Sequence, residues 1–448
     1  MSQKNLKFDT LKVRGGYDSS RHNHSVSVPI YETAAFDLGS TDRAKRLFSF
    51  TEPGFIYTRL SNPTVEVLEQ RVAQLDGASG AVAVSSGMAA ITYTIFNLAE
   101  NGGRILTTPY LYGGTLDGFK KLYPKFGISI DRFKDFNNPE ALAKEIKPDT
   151  RAVFVESISN PNTSVTDIEK IAEVAHEHDI PLVVDNTFAT PYLLNPIKYG
   201  ADIVIYSATK ALNGHGNIIA GIILESGKFN WANGKFNHFL EPYYTLRDEN
   251  DRYRNFLEVF PDFPFTTRIR MNYLNYFGSS LSPFDAYLAL IGLETLSERV
   301  KKQVENTEKV IGYLEKNDRV SWIKYPNLKN NPYKKLAEKY LPRGAGSVFT
   351  FGFKGTDSEI DKFLNSLELF SYHTNVGDSR SLIVNSPKTT HSELTPEEKK
   401  LSDLLPNTIR VSIGLEDAGD LIDDLEQAFK KVSETSETRE IRSKEVIR

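Results

Sequence analysis

A buried strand that ends near a lysine is the feature of this sequence with the clearest chemical potential. In the stretch DIVIYSATKALNGHGN, the apolar run Ile203–Tyr206 is typical of a buried strand, and Ser207, Thr209 and Lys210 follow it directly. A lysine held in a dry pocket has a lowered pKa, and its amine becomes a nucleophile suited to a Schiff base. A single lysine at a strand end more often extends into solvent, so this interpretation needs support from other residues.

Polar residues also follow other apolar runs. In SSGMAA, Gly87 and Met88 lie at a strand-to-helix junction, where the free N–H groups of a first helical turn can bind an anion. Asp185 ends the run IPLVVD, and a buried acid is costly without a partner. Asn160, in ESISNPN, is a neutral donor. Taken singly, these features are also explained by a capped helix, a loop-capping acid and an Asn-Pro turn.

Taken together, these residues match the needs of one cofactor. An open α/β sheet binds its ligand at the carboxyl ends of its strands, so the anion site, the acid and the lysine would meet at one edge. Ser207 and Thr209, on either side of Ala208, could bind a phosphate. Pyridoxal phosphate requires a phosphate site, an amine and an acid that keeps its pyridine nitrogen protonated. The sequence therefore predicts pyridoxal phosphate as the cofactor.

Competing chemistries lack their motifs. No GxGxxG follows a strand, and no GxxxxGK[ST] is present. The eight histidines form no HExxH, and the pairs His22/His24 and His176/His178 are predicted on the surfaces of an N-terminal arm and a helix. With no cysteine, disulfides, thiolate metal sites and a cysteine nucleophile are excluded. No metal site is predicted.

The elements that would position these residues alternate between strand-like and helical patterns from about residue 63 to 225. GMAAITYTIFNLAE (87–100) predicts a helix, and Thr166-Asp167-Ile168-Glu169 predicts a capping box that opens another. The nearly continuous apolar runs indicate a mostly parallel sheet with helices on both faces. The predicted strands are AVAVSS (81–86), AVFVES (152–157), IPLVVDN (180–186), ADIVIYS (201–207) and IIAGIILES (218–226).

The organisation of the chain follows from these patterns. We predict an extended N-terminal arm at 1–62, a large α/β domain at 63–283, a smaller C-terminal α+β domain at 284–432 and a charged tail at 433–448. Residues 227–282 are aromatic-rich and are predicted to be irregular. One long helix is expected to begin around Phe284 and to lead into the strands GSVFTFGF and TIRVSIG.

Bulk composition limits the possible partners and location. The 448 residues carry a net charge of −4, with 40% hydrophobic and 25% charged residues, as in an ordinary globular protein. An acidic chain with scattered basic residues gives no reason to expect nucleic acid or an anionic membrane as a partner. No apolar run is long enough to cross a bilayer, and the absence of cysteine fits a cytoplasmic location.

At this level of detail the sequence resembles the cystathionine γ-synthase-like family of pyridoxal-phosphate enzymes of Cys/Met metabolism. The resemblance runs from about Thr10 to Val432. It implies an aspartate-aminotransferase-like (fold type I) transferase with a smaller C-terminal domain. The motifs that carry the resemblance are VPIYETAAF, YTRLSNPTVEVLE, SSGMAA, YLYGGT, VDNTFATP, SATKALNGHGN, SGKFNWANGKF, NVGDSRSLIVNSPKTTHSEL and IRVSIGLED. The last three of these motifs point to the sulfhydrylase branch of the family.

The resemblance also implies roles for single residues. Lys210 would carry the cofactor, Asp185 would pair with its pyridine nitrogen, and Tyr112 would stack on its ring. Arg410 would bind the substrate α-carboxylate through a bidentate pair, with Asn375 and Ser381 near the same end. The remaining cofactor ligands would be Gly87, Met88, Ser207 and Thr209 at the phosphate, Tyr57 and Arg59 reaching it from a neighbouring subunit, and Asn160 at the phenolic oxygen.

The activity implied is γ-replacement, in which O-acetyl-L-homoserine and sulfide, or a thiol, give L-homocysteine, or methionine, and acetate. Small-molecule substrates and a homotetramer built from dimers that share active sites are expected. A methionine or cystathionine γ-lyase, a cystathionine γ-synthase and a non-catalytic regulatory member are the alternatives. Gly114 stands where methionine γ-lyases typically carry cysteine, which disfavours the lyase. Asn385 and Lys388 replace residues expected in an HPAST-like stretch, which leaves the preferred substrate tail open.

Overall fold

The computed structural model describes residues 6–445, with side chains to residue 434. The chain divides into two units. Unit 1 comprises the residues up to Thr108, Gly118–Ser157 and Thr166–Ser297. Unit 2 comprises Pro109–Asp117, Ile158–Val165 and the residues from Glu298 onward. The predicted domain boundaries at 62/63, 283/284 and 432/433 stay predictions, and the side chains of the predicted tail after residue 434 lie outside the described residues.

Unit 1 is built on a seven-stranded sheet with the order β1-β7-β6-β5-β4-β2-β3. The strands from β6 to β3 pair in parallel, whereas β7 is antiparallel to both β1 and β6. A separate antiparallel pair, β8 and β9, lies outside this sheet. The strands are β1 (Gly80–Val84), β2 (Gly103–Thr107), β3 (Ile128–Arg132), β4 (Thr150–Glu156), β5 (Leu182–Asp185), β6 (Ile203–Ser207), β7 (Gly221–Glu225), β8 (Tyr243–Arg247) and β9 (Tyr253–Arg254).

Unit 2 contains a four-stranded antiparallel sheet with the order β10-β11-β13-β12. Arg410 lies opposite Thr350 on one neighbouring strand and opposite Val384 on the other, so it occupies the middle of this sheet. The register places the three side chains on the same face. The strands are β10 (Val320–Lys324), β11 (Val348–Phe353), β12 (Leu382–Asn385) and β13 (Thr408–Ser412).

Helices cover the sheet of unit 1, and their apolar residues form much of its core. In this unit α3 packs against β1, α4 against β6 and β7, and α7 against β5. In chain order, the α-helices of both units are α1 (Phe8–Arg14), α2 (Thr41–Phe48), α3 (Pro63–Asp76), α4 (Gly87–Leu98), α5 (Gly113–Lys121), α6 (Pro139–Glu145), α7 (Ile168–Glu177), α8 (Thr190–Leu193), α9 (Phe256–Val259), α10 (Pro264–Ile269), α11 (Asn275–Phe277), α12 (Pro283–Glu294), α13 (Leu296–Leu314), α14 (Lys334–Tyr340), α15 (Asp357–Ser366), α16 (Pro396–Leu401) and α17 (Ala418–Glu445).

The carboxyl ends of three parallel strands lie side by side in unit 1. Glu156 at the end of β4 is in register with Asp185, and Asp185 is in register with Ile205 of β6. The turn after β6 therefore begins one strand away from Asp185. The short approach between α4 and β7 requires glycine at 221, since a Cβ there would lie 2.1 Å from the Ser86 carbonyl oxygen.

The predicted fold class is confirmed, since a mostly parallel sheet with flanking helices accompanies a smaller antiparallel sheet. Several predicted elements need correction. The strand expected at 218–226 begins only at Gly221, and strands β2 and β3 were not predicted. Residues 227–282 contain β8, β9, α9, α10, α11 and a π-helical turn rather than irregular chain alone. The helix expected from about Phe284 is divided at Thr295, where the backbone leaves the helical conformation, into α12 and α13.

Two further corrections concern helix starts. The capping box predicted at Thr166 is wrong, because the Thr166 hydroxyl donates to the Glu156 carbonyl oxygen at 2.6 Å and α7 begins at Ile168 without a side-chain cap. The extended conformation predicted for the arm is wrong for residues 8–14 and 41–48, which form α1 and α2. Lys12 of α1 is buried and donates to the Ser297 hydroxyl, so packing within unit 1 stabilises a helix with little apolar periodicity.

Among the described residues, none of the helices combines the length and the apolar character needed to cross a bilayer.

The ion pair of His176 on α7 with Asp202 generates a pH-dependent prediction. His176 Nε2 lies 2.8 Å from Asp202 Oδ2, and this hydrogen bond raises the pKa of His176 above its ordinary value of 6.5. A raised folded-state pKa means that the stabilisation is fully present below the unfolded pKa and is lost as pH rises through the folded pKa. We therefore expect His176→Gln to lower Tm more at pH 6 than at pH 8.5. The difference should be about 1 kcal/mol at most, because the imidazole is 41% exposed.

The matched control is His178→Gln, which removes an imidazole whose Nδ1 lies 2.9 Å from the Val174 carbonyl oxygen rather than from a carboxylate. Thermal denaturation of the wild type and both variants at the two pH values gives the measurement. Equal losses for His176→Gln at both pH values would contradict the assigned pair.

Candidate active site

The start of α4 in unit 1 forms an anion cradle. Ser86 is the N-cap, and its side chain accepts a hydrogen bond from the Ala89 N–H at 3.0 Å. The N–H groups of Gly87 and Met88 have no hydrogen-bond partner among the described residues. A Cβ on Gly87 would lie 3.0 Å from Ser207 Oγ, so the Ser207 hydroxyl is adjacent to this helix start. Two free N–H groups, a hydroxyl and the helix dipole together favour a bound phosphate.

Asp185 is a partly buried acid at the end of β5. Its Oδ1 accepts a hydrogen bond from the Thr187 N–H at 3.0 Å, and among the described residues no basic side chain pairs with it. Burial raises the pKa of Asp185 to about 6, although its hydrogen bonds with Thr187 oppose this shift. A carboxylate in such a place is stabilised by a cationic N–H, and a pyridinium N–H would satisfy this requirement.

Lys210 lies in the turn that follows β6. The Lys210 N–H donates to the Ser207 carbonyl oxygen at 3.1 Å, and the Lys210 carbonyl oxygen accepts from the Gly214 N–H at 2.7 Å. Gly214 and Gly216 have φ values of +75° and +65°, which favour glycine and allow the chain to turn sharply here. The lysine is therefore held by a hydrogen-bonded turn, three residues after the last residue of the buried strand, rather than at the strand end itself.

Thr209 is placed differently from the other predicted phosphate ligands. Its hydroxyl accepts from the Ala220 N–H at 2.9 Å and lies 3.3 Å from the Ala220 carbonyl oxygen. The structure thus shows the hydroxyl linking the turn to the chain before β7. The role of Thr209 as a phosphate ligand stays a prediction.

Thr187 joins two of these parts and was missed by the sequence analysis. Its N–H donates to Asp185, and its Oγ1 accepts from the Ser207 N–H at 2.9 Å. Thr187 thus connects the acid at the end of β5 with Ser207 at the end of β6, and the Ser207 hydroxyl is adjacent to the anion cradle. A threonine two residues after an aspartate is a recognisable signal for a hydrogen-bonded turn, but the contact with Ser207 depends on strand register.

Unit 2 brings three other predicted residues together. Arg410 on β13 donates through Nη1 to Asn160 Oδ1 and through Nη2 to the Asn375 carbonyl oxygen, both at 3.1 Å. Burial lowers the pKa of Arg410 to about 10, while the nearby Tyr112 opposes this shift. Its Nε has no hydrogen-bond partner, and no carboxylate forms an ion pair with it within the described part of the chain. A buried guanidinium with unused donors is suited to a carboxylate ligand.

Tyr112 lies at the start of α5 in unit 2, with 42% of its surface exposed. The Gly113 that follows it lies against the 390–391 turn, since a Cβ there would be 2.2 Å from the Thr390 carbonyl oxygen. His391 in that turn is buried beside Arg410, and burial together with this charge lowers its pKa to about 4. A neutral imidazole thus packs behind the segment that carries Tyr112.

Ser381 is fully buried, and its hydroxyl forms hydrogen bonds within unit 2. It donates to Glu416 Oε2 at 2.9 Å and accepts from the Gly414 N–H at 2.8 Å. These contacts fasten the 379–381 segment to the chain after β13. A substrate-binding role for Ser381 stays a prediction.

Tyr57 and Arg59 lie near the N-terminus of unit 1 with exposed side chains. The Arg59 guanidinium lies over the Tyr57 ring at 5.1 Å from its centroid, and Arg59 Nη2 donates to Asn275 Oδ1 at 3.4 Å. Both side chains are therefore accessible to a second molecule.

The residues present fit pyridoxal phosphate. Unit 1 supplies a phosphate cradle with unused N–H donors, an acid without a cationic side-chain partner and a lysine in a turn beside them. No group of three or more potential metal ligands lies together among the residues that the structure describes.

Comparisons with known proteins agree with this fit. Residues 9–430 match the family model described as Cys/Met metabolism PLP-dependent enzyme. The O-acetyl-L-homoserine sulfhydrylase of Leptospira meyeri is 40% identical over 438 residues, which cover 96% of this chain and 98% of that protein. The homocysteine/cysteine synthase of Saccharomyces cerevisiae is 41% identical over 440 residues, covering 95% and 98% of the two chains.

A similar solved structure is that of a chain assigned as an O-acetylhomoserine (thiol)-lyase from Campylobacter jejuni, which contains N'-pyridoxyl-lysine-5'-monophosphate. It is 37% identical, with a TM-score of 0.89, over 95% of this chain and all of that one. The resemblance noted from the motifs and the predicted cofactor are confirmed. The chain therefore belongs to the Cys/Met metabolism PLP-dependent enzymes.

Proposed function

We propose that this protein is an O-acetylhomoserine sulfhydrylase, which converts O-acetyl-L-homoserine and sulfide, or a thiol, to L-homocysteine, or methionine, and acetate. The observation that carries the proposal is a set of groups near the strand ends of unit 1, namely the turn that carries Lys210, the partly buried Asp185 without a basic partner, and the anion cradle. This set occurs in a chain that is about 40% identical, over nearly its full length, to proteins named for this activity.

The residues of unit 1 hold the cofactor in this proposal. The N–H groups of Gly87 and Met88, with Ser207 and Thr209, bind the phosphate, and Asp185 keeps a proton on the pyridine nitrogen. Lys210 attaches the cofactor through its amine. When bound, pyridoxal phosphate supplies an electron sink that acidifies the hydrogens of an attached amino acid.

The protein groups then move protons and fix the substrate. The Lys210 amine would remove the α-proton of the substrate and later return it. Loss of a β-proton would expel acetate from the γ-carbon, sulfide would add to the same carbon, and a proton would return to the β-carbon, so that one C–O bond is exchanged for one C–S bond. Tyr112 assists as an acid or base.

Unit 2 supplies the substrate-binding groups. The Arg410 guanidinium, already oriented by Asn160 and Asn375, binds the α-carboxylate with its unused donors. Asn160 would also bind the phenolic oxygen of the cofactor, and Ser381 would contribute to substrate binding, as the family resemblance implies. Tyr57 and Arg59 bind the phosphate of a neighbouring subunit in a homotetramer, which explains why two specific side chains remain exposed. We place the enzyme in the cytoplasm.

The first prediction from the proposed function concerns the reaction itself. In steady-state assays that cross acyl donors with sulfur donors, we expect O-acetyl-L-homoserine with sulfide to give the highest kcat/KM and homocysteine as the product. O-Succinyl- and O-phospho-homoserine, methanethiol and cysteine are the comparison substrates. Cystathionine from the cysteine arm as the main product would instead assign a cystathionine γ-synthase. Formation of 2-oxobutyrate without a sulfur donor would assign a γ-lyase.

The second prediction tests the attachment residue. Lys210→Ala should remove the visible absorbance of the covalently bound cofactor and lower kcat by about 10⁴-fold or more, because one amine both holds the cofactor and carries the proton. Lys228→Ala, which changes an exposed lysine on the same unit, is the control and should keep both properties. Turnover that survives in Lys210→Ala would contradict this mechanism, and a wild-type protein that stays colourless with pyridoxal phosphate would indicate a non-catalytic member.

The third prediction tests the carboxylate site. Arg410→Lys keeps a positive charge but cannot form two parallel hydrogen bonds, so KM for O-acetyl-L-homoserine should rise about 10- to 100-fold. The cofactor absorbance should stay unchanged. Arg380→Lys, at an arginine whose side chain is 62% exposed in the same unit, should leave KM unchanged. An unchanged KM in Arg410→Lys would exclude this residue as the carboxylate ligand.

A further inference from the structure

The open edge of the large sheet is covered by a charged pair. Strand β1 is the edge strand beside β7, and apart from an isolated bridge between Val84 and Ser280 no strand lies on its outer side, so the outward N–H of Ala83 and C=O of Ala81 have no strand partners among the described residues. Glu69 Oε1 on α3 accepts from the Ala83 N–H at 2.7 Å, and Arg270 Nη2 donates to the Ala81 carbonyl oxygen at 3.1 Å. Arg270 Nη2 also lies 2.7 Å from Glu69 Oε2. The pair thus satisfies edge groups that would otherwise invite another strand.

The same arginine reaches the segment that carries Tyr57 and Arg59. Arg270 Nη1 donates to the Leu60 carbonyl oxygen at 2.7 Å. Asn275, five residues further on, accepts through Oδ1 from Arg59 Nη2 at 3.4 Å. Arg270 therefore holds Leu60 through its backbone carbonyl group, and Asn275 holds Arg59 through its guanidinium.

A π-helical turn explains how one stretch makes both contacts. Residues Arg270–Leu274 form a π-helix between α10 and α11. In an α-helix, residues five apart point about 140° away from each other, because five residues exceed a 3.6-residue turn by 1.4. The wider turn, with its i→i+5 hydrogen bonds, brings Arg270 and Asn275 toward the same face. The π-helical turn therefore allows the side chains of both Arg270 and Asn275 to reach the Tyr57–Leu60 segment.

The ion pair of Glu69 with Arg270 restrains the movement of both side chains. The Glu69 side chain is 8% exposed and that of Arg270 is 21% exposed. Burial raises the pKa of Glu69, and the Arg270 charge opposes the shift, so each group depends on the other. Breaking such a pair leaves an uncompensated buried charge, which opposes movement of either partner.

We infer that Glu69, Arg270 and Asn275, set by the π-helical turn, position the exposed Tyr57 and Arg59 side chains to bind the cofactor phosphate of a second copy of this chain. The inference rests on the proposed function, because Tyr57 and Arg59 are phosphate ligands only there. Glu69, Arg270 and Asn275 are positioning residues, since they act on the phosphate through Arg59 and the 57–60 backbone. A purely structural role at the sheet edge would not distinguish ligands with and without a phosphate.

The test compares pyridoxal phosphate with pyridoxal, which lacks the phosphate. Full-length protein freed of cofactor is titrated with each compound, and binding is followed by visible absorbance. Arg270→Lys should weaken binding of pyridoxal phosphate about tenfold and change that of pyridoxal by no more than about twofold. The reason is that the variant misplaces Arg59, whose charge-assisted contact with the phosphate is absent from pyridoxal. Asn275→Ala, which preserves the charged pair, should give a smaller loss in the same direction.

Arg59→Ala provides the reference, and the double variant Arg59→Ala/Asn275→Ala should lose no more than Arg59→Ala alone, since both act on one contact. Arg104→Lys is the matched control, because the Arg104 side chain is 19% exposed, close to the 21% of Arg270, and forms an ion pair with Asp131 in the same unit. It should leave the preference for pyridoxal phosphate unchanged.

The outcomes separate the two proposals. If Arg59→Ala reduces the preference for pyridoxal phosphate but Arg270→Lys and Asn275→Ala do not, the positioning role is wrong and the phosphate role of Arg59 stands. Equal weakening of both compounds by Arg270→Lys would also overturn the inference, as it would indicate general loss of structure. If Arg270→Lys does not fold, Asn275→Ala and the double variant decide. If Arg59→Ala has no effect on the preference, the assigned phosphate role fails, and the inference fails with it.

Discussion

The site depends on Asp185, a partly buried acid with no cationic side chain beside it. The acid ends a strand in the middle of the large sheet, and the described hydrogen bonds of its carboxylate are with Thr187. Such a group persists in a folded protein when a ligand completes it, because burial of an unpaired charge is otherwise strongly unfavourable. The neighbouring anion cradle and the turn that carries Lys210 indicate that this ligand is pyridoxal phosphate.

The cradle is precise because backbone groups build it. Gly87 has no room for a side chain against Ser207, and Gly221 has none against Ser86. These close approaches fix the start of α4 relative to the end of β6, and Thr187 ties the same strand end to Asp185. Rigid strands with short hydrogen-bonded turns hold such groups better than long loops do, which is the usual reason for sites at strand ends.

Interactions away from the strand ends orient the candidate site residues within each unit. In unit 1, a charged pair protects the sheet edge and also fastens the segment that carries Tyr57 and Arg59. In unit 2, Arg410 is oriented by Asn160 and Asn375 and has a neutral His391 beside it. In both units a guanidinium, partly buried at Arg270 and fully buried at Arg410, is fixed by neighbouring oxygens before any substrate binds, so little ordering is needed on binding.

The sequence by itself determined the fold class, the cofactor and the residues at the strand ends. These follow from local patterns, namely apolar runs, glycine positions and an acid or lysine after a strand. Its motifs also singled out Asn160, Asn375 and Arg410, which are far apart in the chain and which the structure joins by hydrogen bonds. The tertiary structure decided the contacts that depend on packing and register. It showed Thr187 between Asp185 and Ser207, the engagement of Thr209 by Ala220, and the π-helical turn that brings Arg270 and Asn275 together. It also turned parts of the arm into helices and replaced the predicted capping box at Thr166. These features could not be read from the sequence, because the free energy of each hydrogen bond depends on a partner that only the folded chain brings within reach.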